Sequence, residues 1–290
     1  MKYATVFSVS LLSSVGAFPG PTHNKRSVNS TLFSEFTRAA KLAHCAYQPI
    51  CVSPVGTTRL HTIYNIIFDT NGFVARDDTK KQIIVAMRGT SSLSDILVDL
   101  DNTLVPYTST SSTECSGCMV HRGFQNQWNA VVADVIEKVG EQVKAHSDYT
   151  LLCTGHSLGG ALTPFCAVSL EKNFPGKVTA ISLASPRTGN PAWISFVEAT
   201  IPSAKLFRLT NQNDTVPNDL TEAEGFKHHA TEHWSPERPV TEGNMVVCNG
   251  GEDASCNKGH SKENAGFLGI NEAHFHYMNV DFANSTAAEC

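Results

Sequence analysis

The chain has 290 residues, of which 41% are hydrophobic and 17% are charged, and its formal net charge is −5. This composition is typical of a globular protein that is long enough to bury a sizeable core. The weakly acidic balance, without a long basic run, excludes the charge pattern of a nucleic-acid-binding protein, so we expect no nucleic-acid partner.

The N-terminus predicts a secreted, extracellular protein. Lys2 precedes a mostly apolar stretch that ends in small residues, which is the pattern of a signal peptide. The apolar stretch is shorter than the ~20 residues that a membrane span needs, so we expect no transmembrane segment. The pair Lys25-Arg26 is either a processing site or a chance basic pair. The expected segments are a signal peptide, a propeptide and one domain, over residues 1–17, 18–26 and 27–290.

Hydrophobic periodicity after the N-terminus predicts helices and strands that alternate. In chain order these are a helix over 31–47, strands over 62–69 and 73–76 around a turn at Asn71-Gly72, a strand over 81–87, a helix over 125–146, a strand over 149–154, a helix over 158–172, and strands over 177–184 and 205–211. This alternation predicts an α/β fold with a mostly parallel sheet flanked by helices.

The segment GHSLGG at residues 155–160 indicates a nucleophilic serine. An apolar strand runs directly into it and a helix follows directly, which is the context of a nucleophile elbow. Gly155 and Gly159 remove side chains that would crowd the sharp turn at Ser157. The serine then lies at a helix N-terminus, where developing negative charge is favoured. The backbone N–H of Leu158, the residue after the nucleophile, is one expected oxyanion donor.

A nucleophilic serine of this kind needs an acid and a histidine later in the chain. Asp214 follows the end of the strand KLFRLTN and is our candidate for the acid, in preference to Asp219. Near the C-terminus, AHFHYM contains two histidines, of which only one can be the base. We predict that His274 is the base and that His276 is a packed or surface residue.

Nine cysteines in a secreted chain indicate disulfides. The predicted pairs are Cys115–Cys118 and Cys248–Cys256, and Cys290 has either Cys45 or Cys51 as its partner. Two further cysteines, Cys153 and Cys166, lie in apolar segments and are expected to be buried thiols. A zinc site at residues 115–118 would need two more ligands at matching spacing, which the sequence lacks, so we expect no metal.

Five motifs in order resemble the fungal class 3 lipases, the family of the Rhizomucor, Thermomyces and secreted Yarrowia lipases. They are MRGT (87–90), VHRGF (120–124), TGHSLGGAL (154–162), RLTNQNDTVP (208–217) and AHFHYM (273–278). The resemblance covers nearly the whole mature chain and implies an α/β-hydrolase fold. It also implies that Ser157, Asp214 and His274 are the nucleophile, the acid and the base.

The resemblance adds a second oxyanion donor and a lid. The family uses the hydroxyl residue of its RGS/RGT motif, here Thr90, through its backbone N–H and its hydroxyl. The next segment lies where the family has a short helical lid, and four residues of it fall on one helical face: Leu93, Ile96, Leu97 and Leu100. A buried core helix is the alternative. The family's lid often has a tryptophan where this chain has Ile96.

We therefore expect a secreted serine hydrolase of carboxylic esters, monomeric and without a cofactor. The expected substrate is a triacylglycerol at a lipid–water interface, cleaved through an acyl-enzyme. A feruloyl esterase or a phospholipase on the same scaffold is the alternative. An inactive lipid-binding relative is a further alternative, although the complete set of three catalytic residue types argues against it.

Overall fold

The computed structural model of the protein describes residues 28–48, 50–90, 102–109, 114–261, 270–284 and 290. Its helices are α1 (Ser30–Cys45), α2 (Arg122–Asn129), α3 (Val132–Ala145), α4 (Leu158–Asn173), α5 (Pro191–Thr200) and α6 (Asn257–His260). Its strands are β1 (Thr58–Asn65), β2 (Thr70–Asp77), β3 (Gln82–Met87), β4 (Leu104–Pro106), β5 (Met119–His121), β6 (Thr150–His156), β7 (Val178–Leu183), β8 (Leu206–Asn211), β9 (Glu232–Ser235), β10 (Val246–Val247), β11 (His276–Tyr277) and β12 (Val280–Asp281).

An eight-stranded sheet in the order β1-β2-β3-β6-β7-β8-β9-β10 forms the centre of the molecule. The five strands from β3 to β9 in this order are parallel, while β1, β2 and β10 are antiparallel additions at the two edges. Parallel strands of this kind are buried on both faces, which explains the nearly continuous apolar sequence of β3. The buried strands β8 and β9 contain charged residues, and Arg208 of β8 forms an ion pair with Glu232 of β9. Helix α1 packs against one face, and the apolar cluster on the other face includes residues of α2, α3, α4 and α5. The predicted α/β fold with helices on both faces is confirmed.

The predicted position of the first hairpin turn is wrong. The turn comprises residues 66–69, and Asn71 and Gly72 lie inside β2. The Asn65 side chain accepts hydrogen bonds from the backbone of Ile67 (3.1 Å) and of Phe68 (3.2 Å), and this local turn replaces the expected Asn-Gly turn. Gly72 is needed for close backbone approach, because a Cβ there would lie 2.5 Å from the Ala86 carbonyl oxygen.

The helix predicted over residues 125–146 is two helices, α2 and α3, separated at residues 130–131. The Asn129 side chain donates to the Thr108 carbonyl oxygen at 3.0 Å, an interaction outside the helix. Both helices carry apolar stripes, so periodicity alone could not reveal the break between them.

Four disulfides lie within the described part of the chain: Cys51–Cys290, Cys115–Cys118, Cys153–Cys166 and Cys248–Cys256. The prediction that Cys153 and Cys166 are thiols is therefore wrong, although both are buried. One lies on β6 and the other on α4, which packs on that strand. Their Cα atoms are 6.2 Å apart, within the range that a disulfide can bridge. The sequence showed their burial but not that they face each other.

The C-terminal cysteine pairs with Cys51, one of its two expected partners. The other, Cys45, is also buried, and its Sγ lies within 4.8 Å of the Sγ atoms of Cys51 and Cys290. Both candidate partners therefore lie close to Cys290, and the sequence alone does not distinguish them. Because two of these three sulfurs are joined in a disulfide, the group does not offer three thiolates to a metal ion.

Several predicted features lie outside the described residues: the signal peptide, the propeptide and the four apolar lid residues Leu93, Ile96, Leu97 and Leu100. Among the helices that are described, none has the length and apolar character needed to cross a membrane.

Buried histidines give the fold a pH-dependent stability. His121 is 2% exposed and caps α2, because its Nδ1 accepts from the Phe124 N–H at 3.3 Å. Burial lowers the pKa of His121 from 6.5 to about 4, and burial lowers the pKa of His233 to about 4 as well. Between pH 6.5 and 4 the unfolded chain binds protons that these residues cannot bind when folded, so stability falls as the pH falls. Asp219 acts oppositely, since burial and Glu224 raise its pKa to about 6.

We predict that His121→Asn reduces this loss of stability. Asparagine can also cap a helix N-terminus, but it does not titrate. The free energy of unfolding in urea at pH 7.5 and at pH 4.5 is the measurement. The decrease between the two pH values should be smaller in the variant by on the order of 3 kcal/mol, which corresponds to the lowered pKa of His121. An equal decrease in both proteins would show that His121 does not contribute.

Candidate active site

The chain reverses direction sharply at Ser157, between β6 and α4. The backbone of Ser157 has φ 60° and ψ −122°, which is unfavourable for a residue with a Cβ. Neighbouring backbones come very close there: a Cβ at Gly155 would lie 2.3 Å from the Gly159 carbonyl oxygen, and one at Gly159 would lie 2.2 Å from that of Met87. The two glycines therefore allow a turn that places the serine directly before the first turn of the helix.

Ser157, His274 and Asp214 form one hydrogen-bonded chain. The Oγ of Ser157 lies 3.0 Å from Nε2 of His274, and Nδ1 of His274 lies 3.1 Å and 3.0 Å from the two carboxylate oxygens of Asp214. All three residues are fully buried. Because a carboxylate only accepts hydrogen bonds, Nδ1 carries the proton in neutral histidine. The free Nε2 is then available to accept the serine proton.

The Asp214 carboxylate receives two further hydrogen bonds. The backbone N–H of Val216 donates to Oδ1 at 3.0 Å, and the Tyr277 hydroxyl donates to Oδ2 at 2.6 Å. Burial and the nearby Asp214 raise the pKa of Tyr277 well above its ordinary value, so the hydroxyl keeps its proton and remains a donor. These donors hold the carboxylate in position beside His274.

The loop that carries His274 is held to the end of β8 by amide side chains. Asn211 donates to the Ala273 carbonyl oxygen at 2.9 Å, and Asn271 donates to the Asn213 carbonyl oxygen at 2.7 Å. The histidine and the acid are therefore attached to the same part of the sheet, although they are 60 residues apart in sequence.

A second histidine, His156, joins this loop to the N-terminal helix. Its Nε2 lies 2.8 Å from the His274 carbonyl oxygen and its Nδ1 lies 2.9 Å from the Tyr47 hydroxyl. The carbonyl can only accept, so Nε2 is the donor and the tyrosine donates to Nδ1. Burial, together with His274, lowers the pKa of His156 well below its ordinary value, which keeps the ring neutral. The Gly89 N–H donates to the same tyrosine hydroxyl.

Thr90 and Leu158 were predicted as oxyanion donors. Leu158 is the first residue of α4, and the first N–H groups of a helix have no intrahelical acceptor. The loop of Thr90 follows β3 and passes close to the elbow, where a Cβ at Gly89 would lie 3.0 Å from the His156 carbonyl oxygen. Their N–H groups are therefore candidates for stabilising a developing oxyanion beside Ser157.

The other candidates considered from the sequence lie apart from this chain of hydrogen bonds. His276 faces two surface carboxylates, with Nε2 3.4 Å from Glu272 and Nδ1 3.8 Å from Asp281. Asp219 follows a short helical turn after Asp214, and His274 pairs with Asp214. Three neighbours of the site were not identified from sequence: Tyr47, His156 and Tyr277. Two of them had a sequence signal, since Tyr277 lies three residues after His274 in AHFHYM and His156 directly precedes Ser157 in TGHSLGGAL, whereas Tyr47 lies in none of the five motifs.

Comparison with known proteins places the chain in a family. The family model described as Lipase (class 3) matches residues 84–222. A secreted alkaline triacylglycerol lipase of Penicillium cyclopium is 35% identical over 254 residues, which cover 87% of each chain. A lipase of Rhizomucor miehei is 36% identical over 180 residues, 60% of this chain and 47% of the relative.

Solved structures agree with the sequence comparison. A triacylglycerol lipase from Penicillium expansum superposes with a TM-score of 0.80 at 32% identity, over 89% of this chain and 98% of its own. A triacylglycerol lipase whose catalytic centre is described as a serine protease triad has a TM-score of 0.75 at 28% identity, over 90% of this chain and 99% of its own. The fold is that of the α/β-hydrolases. Within that class, the chain belongs to the class 3 lipase family.

We predict that the two histidines of AHFHYM differ sharply on substitution. His274→Ala should lower kcat/KM on a dissolved ester by at least ~10³-fold, because triad members act as a unit. The matched control His276→Ala should retain most of the activity, since that ring faces two surface carboxylates and makes no hydrogen bond to Ser157 or Asp214 in the described structure. Asp214→Asn should cost less than His274→Ala, because the nucleophile and the base remain. The reverse ranking of the two histidines would contradict the assignment.

Proposed function

We propose that the protein is a secreted triacylglycerol lipase with Ser157 as nucleophile, His274 as base and Asp214 as the residue that orients the base. The hydrogen-bonded chain of these three side chains at the start of α4 is the observation that supports this most directly. The named activity of the Penicillium cyclopium relative supports the substrate class and secretion. The disulfides suit an extracellular protein.

The proposed reaction has two steps. Ser157 Oγ attacks the ester carbonyl carbon while its proton passes to His274 Nε2, and the carbonyl oxygen becomes an oxyanion. The backbone N–H of Leu158 and the N–H and hydroxyl of Thr90 stabilise this oxyanion. The intermediate collapses, and the leaving alcohol takes the proton from His274. Water then attacks the acyl-enzyme carbonyl carbon while His274 takes one of its protons. The Oγ–carbon bond breaks, His274 returns that proton to Ser157 Oγ, and the fatty acid leaves.

Substrate access requires a movement, because the serine has no exposed surface. An ester cannot reach Oγ until the covering residues shift. The segment with Leu93, Ile96, Leu97 and Leu100 is our proposed lid, by its apolar pattern and its position directly after Thr90. Its apolar face would favour opening at a lipid surface, since only the open form gains that contact.

A substrate panel tests the proposed function. The panel consists of tributyrin, emulsified triolein, a phosphatidylcholine and methyl ferulate, each with the parent and with Ser157→Ala. The parent should hydrolyse the two triacylglycerols faster than the other two esters, and Ser157→Ala should lower every rate by at least ~10³-fold while remaining folded.

Preference for methyl ferulate or for the phosphatidylcholine would contradict the triacylglycerol assignment and favour the corresponding esterase. Substantial turnover by folded Ser157→Ala would contradict the role of the serine.

A further inference from the structure

The tip of the first hairpin exposes apolar side chains where polar turn residues are usual. Ile66 is 76% exposed and Ile67 is 79% exposed, and the flanking Tyr64 and Phe68 are also exposed. Turns normally consist of Gly, Asn, Asp, Ser and Pro. Adjacent exposed aliphatic residues break this rule, and such departures are expected where a surface has a function.

The strand register places this tip at the same end of the sheet as the proposed nucleophile, the end at which the parallel strands terminate. Gly72 of β2 pairs with Met87 of β3, which in turn pairs with Gly155 of β6. Along β6, Ser157 lies two residues beyond Gly155. Along the antiparallel strand β2, Thr70 lies two residues beyond Gly72 in the same direction. The hairpin turn therefore projects from the same end of the sheet as Ser157. β2 and β6 are two strands apart, which is about 10 Å across the sheet at ~4.8 Å per strand.

The tip is held by hydrogen bonds, and its one charged side chain is paired. The Asn65 carboxamide oxygen accepts from two turn N–H groups. The turn's one charged residue, Asp69, forms an ion pair with Arg88 at 2.8 Å. The Arg88 N–H also donates to the Asn71 carbonyl oxygen at 2.8 Å. The tip is thus connected to the loop that carries Thr90, and its apolar side chains are directed outward without a net local charge.

We infer that this tip, residues 66–68, is a docking surface that inserts into the neutral lipid phase holding the substrate. The inference rests on the proposed lipase function. A protruding apolar tip suits a deformable lipid surface, and the absence of net charge favours an uncharged lipid surface over an anionic one. Insertion of the tip brings the end of the sheet that carries Ser157 against the lipid, so docking and substrate access occur on one side of the molecule.

A lipid-partition experiment tests this docking surface. Ile66→Ser combined with Ile67→Ser is made in the Ser157→Ala background, so that binding is measured without turnover. The probe is phosphatidylcholine-coated triolein droplets, and the bound fraction is measured by flotation. Removing two aliphatic side chains should raise the lipid concentration for half-maximal binding by at least about tenfold. The same pair of substitutions in the active parent should leave the rate on dissolved p-nitrophenyl butyrate unchanged.

Ile50→Ser combined with Val52→Ser is the matched control. These residues are 82% and 74% exposed, but they lie at the other end of β1, where the Val52 carbonyl oxygen accepts from the Arg59 N–H. In the Ser157→Ala background, the control pair should bind the droplets as strongly as Ser157→Ala alone. Equal losses in the two variants would mean that the location of the apolar surface is unimportant, and would overturn the inference.

The results also separate this inference from the proposed function. If the active parent hydrolyses triolein but the hairpin variant partitions like the parent, the docking surface is wrong and the lipase assignment stands. If the active parent fails to hydrolyse triolein, the lipase assignment is wrong and the docking inference falls with it.

Discussion

The close approach of backbones at the turn after β6 is the constraint on which the rest of the site depends. Ser157 has a left-handed φ of 60°, and this conformation costs free energy of order 1–3 kcal/mol. The surrounding sheet and helix stabilise it: the Ser157 N–H donates to the Leu183 carbonyl oxygen, and the Ser157 carbonyl oxygen accepts from the Ala161 N–H. A side chain at Gly159 would push the loop after β3 away, and with it Thr90, the residue that we propose as an oxyanion donor. The positions of the proposed nucleophile and of the proposed oxyanion donor therefore depend on the same contact.

The buried polar groups around His274 join the turn at Ser157 to distant segments of the chain, and together these segments form the site. Asp214 follows β8 and His274 lies near the C-terminus, and the two are joined by hydrogen bonds. His156 connects the His274 backbone to the elbow, and Tyr47, just after α1, contacts His156. Buried groups of this kind are costly unless each has a partner. Satisfying them favours one arrangement of the loops, and this is the preorganisation that an acyl-transfer site requires.

Much of the fold could be predicted because the signals are local. The apolar strand KQIIVAM and the strand–turn–helix context of Ser157 are both continuous in sequence. The errors concern interactions between distant residues or competition between local ones. The bridge between Cys153 and Cys166 depends on how α4 packs on β6. The hairpin turn was misplaced because Asn65, six residues before Asn71, makes the turn with its side chain.

The candidate site shows the same contrast between local signals, which the sequence reveals, and contacts between distant residues, which it does not. The motifs around Ser157, Asp214 and His274 named the three residues that the structure brings into hydrogen-bond contact. Tyr47 could not be found in this way, since its partner His156 is 109 residues away. The apolar pattern over residues 62–69 predicts a strand, so the sequence does not show that the two isoleucines lie exposed at a hairpin tip.

Covalent labelling tests the central claim most directly. An alkyl p-nitrophenyl phosphonate is added with a lipid emulsion present, and labelled peptides are mapped by mass spectrometry. If Ser157 is the nucleophile activated by His274, its Oγ forms a bond to phosphorus, one equivalent of p-nitrophenolate leaves, and the label is confined to Ser157. Labelling should be lost in His274→Ala. Label on another residue, or undiminished labelling of Ser157 without His274, would contradict the account.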